Sequence, residues 1–169
     1  MTLERAQDFI FIDFEASGLG PESWPIEIGL AWLEGEAVRT WSSLIRPAAD
    51  WYIEGWDYNS AQIHGISRAQ LADAPPARNV AETAAKLIGG KLLCSDAPNF
   101  DYFWAETLFA ELPRRIPLKM AYTRKVFDLL LDDESSDRAY AHLGRFPAPH
   151  RAGPDAERYA KALLQGLLA

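Results

Sequence analysis

One cysteine, three histidines and no surplus of basic residues mark this chain of 169 residues. With Cys94 alone, no internal disulfide can form, and a reducing, cytoplasmic setting is expected. Its 17 Lys and Arg face 24 Asp and Glu, for a net charge of −7. That excludes a protein that holds nucleic acid on a broad basic surface. It leaves room for one that grips a few nucleotides where bound cations supply the positive charge. Long apolar runs are also missing. The N-terminal run is broken by Glu4, Arg5, Asp8 and Asp13, so neither a signal peptide nor a membrane span is expected there.

Hydrophobic residues make up 49% and charged residues 24%, ordinary for a globular domain. The length suits a single domain over residues 1–169 with a sizeable core. Residues 8–13 read as a strand, Pro25–Leu33 as a second and Val38–Arg46 as a third, with Glu34-Gly35-Glu36 as a hairpin turn. The stretch 47–58 is loop-like and carries Trp51 and Trp56. A short helix over 59–63 follows, then an N-cap at Ser67. Ala77–Ile88 has the spacing of an amphipathic helix. Lys91–Cys94 reads as a short buried strand, Asn99–Leu112 as a helix stopped by Pro113, and Leu118–Tyr122 as a fifth strand. Phe127–Leu131 starts another helix, 132–149 is polar and punctuated by Gly and Pro, and Pro154–Leu168 is a closing helix. Strands first, then alternating helix and strand, predict an α/β fold with a mixed sheet.

Carboxylates stand at the ends of these elements. Asp13 and Glu15 share one strand face while Phe14 points to the other. Two carboxylates roughly 7 Å apart on a buried face repel each other, and a divalent cation between them relieves the conflict. Asp101 falls in the first turn of the Asn99–Leu112 helix, where free backbone amides favour a negative charge. Asp155 has the same placement in the closing helix, four residues before Tyr159 on its buried face. His150 precedes it by five residues in a loop rich in proline. Strand C-termini and helix N-termini of α/β sheets gather at one edge, where ligands bind.

The set Asp13-Phe-Glu15, Asp101 and His150-Arg-Ala-Gly-Pro-Asp155 resembles the signature segments of the DEDDh 3′–5′ exonucleases. Ile63-His-Gly-Ile66, followed by Leu71 and Pro75, is similar to the segment before that family's first long helix. The resemblance covers roughly residues 8–165. It implies an RNase H-like mixed five-stranded β-sheet, with three antiparallel N-terminal strands and then parallel ones, flanked by helices. Its departures are Ala16-Ser17 where many relatives carry a threonine pair, the one-residue-longer stretch from Ser95 to Asp101, and the Trp-rich loop 51–56.

By this resemblance, two divalent cations, Mg²⁺ or Mn²⁺, serve hydrolysis at the 3′ ends of single-stranded RNA or DNA, releasing nucleoside 5′-monophosphates. Asp13, Glu15 and Asp155 hold the first cation. Asp13 bridges to the second, which Asp101 assists. His150 is the general base. Backbone amides from Ala16 through Ser17 and Gly18 to Leu19, with the Ser17 hydroxyl, contact the terminal nucleotide. Leu19, Trp56 and Trp104 are faces for stacking bases or, equally, parts of the core. Homodimerisation, common among RNase T-like relatives, is a further implication.

Plainer roles compete with each of these. Asp101 and Asp155 could be ordinary helix-start residues, and Asp96 reads as a turn-former beside Pro98 rather than a fifth ligand. His64 reads as part of a turn, and His142 as a solvent-facing helix residue. At the level of function, an end-binding or polymerase-associated module of the same fold is the first alternative. It would be marked by loss of an acidic residue or the histidine, and all five are present. An unrelated hydrolase built on two carboxylates, such as a glycosidase, would not need Asp101 or His150 and Asp155.

Overall fold

The computed structural model describes residues 2–168. After a short helix α1 (Thr2–Ala6), strand β1 (Phe9–Ala16) runs through the centre of the molecule. Its apolar residues alternate between two cores, which is why the run is almost continuously hydrophobic. Ile10, Ile12 and Phe14 enter one core and Phe9 and Phe11 the other. β2 (Pro25–Glu34) returns antiparallel to it, and β3 (Ala37–Leu44) runs antiparallel to β2 after a turn at Gly35 and Glu36. The helices α2 (Tyr58–His64), α3 (Arg68–Ala72) and α4 (Ala77–Ile88) lead to β4 (Leu92–Ser95) and α5 (Pro98–Phe109). β5 (Met120–Tyr122), α6 (Thr123–Leu130), α7 (Asp133–Arg145) and α8 (Ala152–Leu167) complete the chain.

The sheet order is β3-β2-β1-β4-β5, with β4 and β5 parallel to β1. This is the mixed five-stranded RNase H-like architecture that the family resemblance implies. Residues of α4 and α5 close the core on one face, among them Val80, Ala84, Trp104 and Leu108. Residues of α6, α7 and α8 close the other, among them Phe127, Ala139, Ala160 and Leu163. No helix among the described residues is long and apolar enough to cross a membrane.

Several element bounds differ from the sequence expectation. β1 continues to Ala16, so Asp13 and Glu15 lie within the strand. The polar stretch after Leu131 holds a full helix, α7, capped by Asp132, whose carboxylate accepts the Ser135 amide at 2.9 Å. It buries only Ala139 fully, which is why no apolar stripe announces it. His142 on this helix is half-buried and its ring lies 4.8 Å from that of Phe146, instead of facing solvent. α6 begins at Thr123, ahead of the expected start at Phe127.

What positions the functional edge is the seating of α8. Its first turn lies directly on β2 because two glycines leave room. A methyl group at Gly29 would stand 2.0 Å from the Ala152 carbonyl oxygen, and one at Gly153 would stand 2.8 Å from Ser42. Only a residue without Cβ allows backbone to approach backbone this closely. Gly29→Ala is therefore expected to cost about 3 kcal/mol, the upper end for overpacking, and to lower the melting temperature by roughly 6–12 °C. An unchanged thermal melt would show that α8 can shift without penalty.

Candidate active site

The site forms where the C-terminal half of β1 meets the starts of α5 and α8. Asp13 and Glu15 project to the α8 side of the sheet, in line with Phe9 and Phe11. Across the antiparallel ladder their partners are Gly29 and Glu27. Since Gly29 has no side chain, the first turn of α8 occupies its place and brings Asp155 over β1. One carboxylate oxygen from each of Asp13, Glu15 and Asp155 lies within 4.8 Å of the others.

A second group shares Asp13. Oxygens of Asp13, Asp96 and Asp101 also lie within 4.8 Å of one another. Asp101 arrives in the first turn of α5 and is buried, accepting a hydrogen bond from the Ser95 hydroxyl. Asp96 follows β4 and is exposed. Its Oδ2 accepts from the Tyr159 hydroxyl on α8 at 2.7 Å. Asp96 thus occupies the expected turn, but its carboxylate joins the acidic group as well.

Burial and mutual repulsion act together on these acids. Asp13 is pushed well above the usual carboxylate range, first by burial and then by Asp101, Glu15, Asp155 and Asp96. Burial raises Glu15 to about 7, helped by Asp155 and Glu27 and opposed by Arg151. Asp101 is likewise raised to about 7 by burial, against the Ser95 hydrogen bond. Asp155 is raised by burial, against the Arg151 amide. The donor set is all oxygen, without sulfur or ring nitrogen. It carries negative charge that nearby cationic side chains leave largely uncompensated, and both features fit hard divalent cations.

The start of α8 is held by a residue that the sequence reading passed over. Glu27, buried, accepts from Arg151 Nε at 2.9 Å and Nη2 at 2.6 Å, and from the Ala152 amide at 3.0 Å. The Arg151 amide in turn donates to Asp155 Oδ2 at 3.1 Å. The available signal was a charged residue inside the otherwise apolar strand Pro25–Leu33, two positions before a glycine. His150, immediately before Arg151, is exposed and belongs to neither acidic group. It is the one non-glycine residue with positive φ (55°) among those described, a conformation that costs energy.

The residues expected around the terminal nucleotide separate into two classes. Leu19 is exposed, and together with Ala16, Gly18 and Trp104 it lines a cavity of about 160 Å³ bordered by Glu15. Trp56 lines a neighbouring cavity with Gly18 and Leu19 while packing on Trp24 at 6.0 Å. Trp104 is mostly core, and its Nε1 donates to Ser23 at 3.0 Å. Ser17 departs from expectation. It is fully buried, its amide donates to the Trp24 carbonyl at 2.9 Å, and its hydroxyl accepts the Trp24 amide at 3.0 Å. Its side chain braces the turn and does not line either cavity.

The raised acids set a pH dependence. Groups whose folded-state pKa is raised cost nothing below the ordinary range near pH 4 and destabilise progressively as pH rises through about 7. Chelator-treated protein is therefore expected to lose stability from these two acids between about pH 4 and pH 7. Mn²⁺ at 100-fold over its Kd should then restore about 2.7 kcal/mol, or roughly 5–10 °C. Scanning calorimetry in EDTA and in Mn²⁺ reads both; a metal effect absent at pH 8 would contradict the site.

Comparison with known proteins agrees with this geometry. No curated protein sequence matches the chain. Among solved structures, E. coli exonuclease I in complex with a dA16 oligonucleotide is similar over 92% of this chain, at 18% identity and TM-score 0.64. The chain spans only 40% of that protein. The nuclease domain of 3′hExo, a DEDDh family member bound to rAMP, is similar over 94% of this chain and 90% of its own, at 19% identity and TM-score 0.63. S. pombe Pop2p in its Mg²⁺- and Mn²⁺-bound form covers 96% of this chain and is itself covered over 83%, at 15% identity and TM-score 0.59. The sequence model of the RNase T family, described as exonuclease, matches residues 10–163. The chain belongs to the RNase T exonuclease family.

Proposed function

We propose that this domain is a 3′–5′ exonuclease that hydrolyses the terminal phosphodiester of single-stranded nucleic acid with two divalent cations, Mg²⁺ or Mn²⁺. The observation that carries it is the pair of acidic groups sharing Asp13 at one sheet edge. Asp13, Glu15 and Asp155 would hold one cation, and Asp13 with Asp101 and Asp96 the other. Cations held by these residues would supply positive charge for the phosphate and would favour deprotonation of an attacking water.

His150 is assigned as general base. Its exposed ring is free to approach an attacking water, and its backbone adjoins the Arg151 amide that braces Asp155. In the proposed step, the water oxygen bonds to phosphorus and its proton passes to His150. The bond from phosphorus to the 3′ oxygen of the penultimate nucleotide breaks, that oxygen takes a proton from solvent water, and His150 returns its proton to solvent. The products are a nucleoside 5′-monophosphate and a strand one nucleotide shorter. Leu19, with Ala16 and Gly18, would seat the departing nucleotide, and Trp56 the neighbouring base.

The net charge of −7 favours short or single-stranded ends over long duplex. A reducing cytoplasm suits Cys94, whose burial pushes its thiol up to about 12 and keeps it protonated. The non-catalytic end-binding alternative would be marked by loss of an acidic residue or of the histidine, and all five residues are present in the sequence.

Release of mononucleotides from 5′-labelled RNA and DNA oligomers with Mn²⁺ tests the proposal. Wild type should cleave and Asp13→Ala should not; equal background from both would sink the exonuclease function. His150→Ala should lower turnover by about 10²- to 10⁴-fold with Mn²⁺ affinity kept. Loss of metal affinity would make His150 a ligand instead.

A further inference from the structure

Asp96 makes a contact that the turn around it does not call for. The turn between β4 and α5 is closed by Ser95, whose hydroxyl accepts the Ala97 amide at 2.9 Å, and α5 begins without a side-chain cap. The Asp96 carboxylate instead crosses to α8 and accepts the Tyr159 hydroxyl at 2.7 Å. Asp96 is exposed, and Asp13 and Asp101 repel it. A free side chain in that place would swing into solvent, away from the other acids. This one is held with an oxygen within 4.8 Å of theirs.

Tyr159 is itself fixed by packing. Its ring stacks on that of Phe11, with centroids 6.4 Å apart and 20° between the planes, and the Arg158 guanidinium lies 5.2 Å from its centre. Phe11 is buried in β1, two residues before Asp13. A donor anchored in this way fixes the direction of the carboxylate it touches, as outer partners of metal ligands do. Tyr159 also stands one helical turn after Asp155, on the same face of α8. One face of α8 thus delivers Asp155 to the first acidic group and orients Asp96 in the second.

We propose that Tyr159 is a positioning residue that holds Asp96 in the second acidic group, so that the domain takes up both divalent cations before any nucleic acid binds; this rests on the metal-dependent exonuclease function proposed above. With Asp96 held, each group offers three carboxylates, and water can fill the remaining positions around a hard cation. Without it, the second group keeps Asp13 and Asp101 alone, and a substrate phosphate would have to complete it. A tyrosine that only stapled α8 to the end of β4 would affect thermal stability and leave the metal stoichiometry unchanged.

Titration with Mn²⁺ in the absence of nucleic acid, followed by calorimetry and electron paramagnetic resonance, separates these roles. Wild type should bind two Mn²⁺ per chain and give the exchange-coupled spectrum of a close pair. Tyr159→Phe removes the hydroxyl and keeps the ring. It should leave the first cation in place, weaken the second about 10- to 100-fold, and lose the coupled spectrum at the Mn²⁺ level that just saturates wild type. Asp96→Asn should do the same, and the double variant should be no worse than Asp96→Asn, because Tyr159 acts through Asp96. A Tyr159→Phe protein that binds two Mn²⁺ as tightly as wild type refutes the assignment, and so does a wild type that binds only one. Either result leaves the exonuclease function standing, since mononucleotide release reports that separately. A wild type that binds no Mn²⁺ overturns both. Should Tyr159→Phe fold poorly, Asp96→Asn, a change at the surface, decides by the same stoichiometry: two tightly bound Mn²⁺ in that variant would sink the proposal.

Discussion

The two-pronged contact between Arg151 and Glu27 is what the functional edge depends on. Asp155 must stand within a few ångströms of Asp13 and Glu15, and like charges in a buried place push it away. The force that holds it there comes from its own helix start. Arg151 forks onto Glu27, the Ala152 amide joins the same carboxylate, and the Arg151 amide braces Asp155. Glu27 is buried while the Arg151 side chain is partly exposed. The contact therefore satisfies a buried charge more than it stabilises the fold outright, and removing Arg151 would strand Glu27. Gly29 completes the seat by letting the α8 backbone reach the sheet.

Around that seat the domain keeps a cluster that is unfavourable on its own. Asp13, Glu15, Asp101 and Asp155 are all raised above the ordinary carboxylate range. Raised acids cost stability near neutral pH, and a fold selected for stability alone would not assemble them. Perturbed acids gathered at one sheet edge mark a place where function is supported by stability found elsewhere. Here the support comes from two cores that cover both faces of β1.

Much of this was legible in the sequence where local rules decide the outcome. Strand alternation places Asp13 and Glu15 on one face, and helix-start chemistry places Asp101 and Asp155 at the same edge. The five-stranded mixed sheet followed from those elements and from the family resemblance. What stayed hidden depends on long-range contact. Glu27 reads as one more strand residue until Arg151, 124 positions later, closes on it. Asp96 reads as a turn residue until Tyr159, 63 positions later, draws it toward the acids. Ser17 reads as a nucleotide contact through the family resemblance, yet the β-bulge between Glu15 and Ala16 precedes a turn that buries it against Trp24. The helix α7 stayed hidden because it buries so little.

The central claim is that this acidic edge is built to be neutralised by divalent cations. Its most direct test is the number of protons released when Mn²⁺ binds, read by titration calorimetry in buffers of different ionisation enthalpy. With Glu15 and Asp101 raised to about 7, binding at pH 6.5 should release between about one and two protons per chain, because ligands must be deprotonated to bind. At pH 8.5 the release should fall toward zero. Mn²⁺ that binds at pH 6.5 without releasing protons, or that fails to bind, would contradict the account.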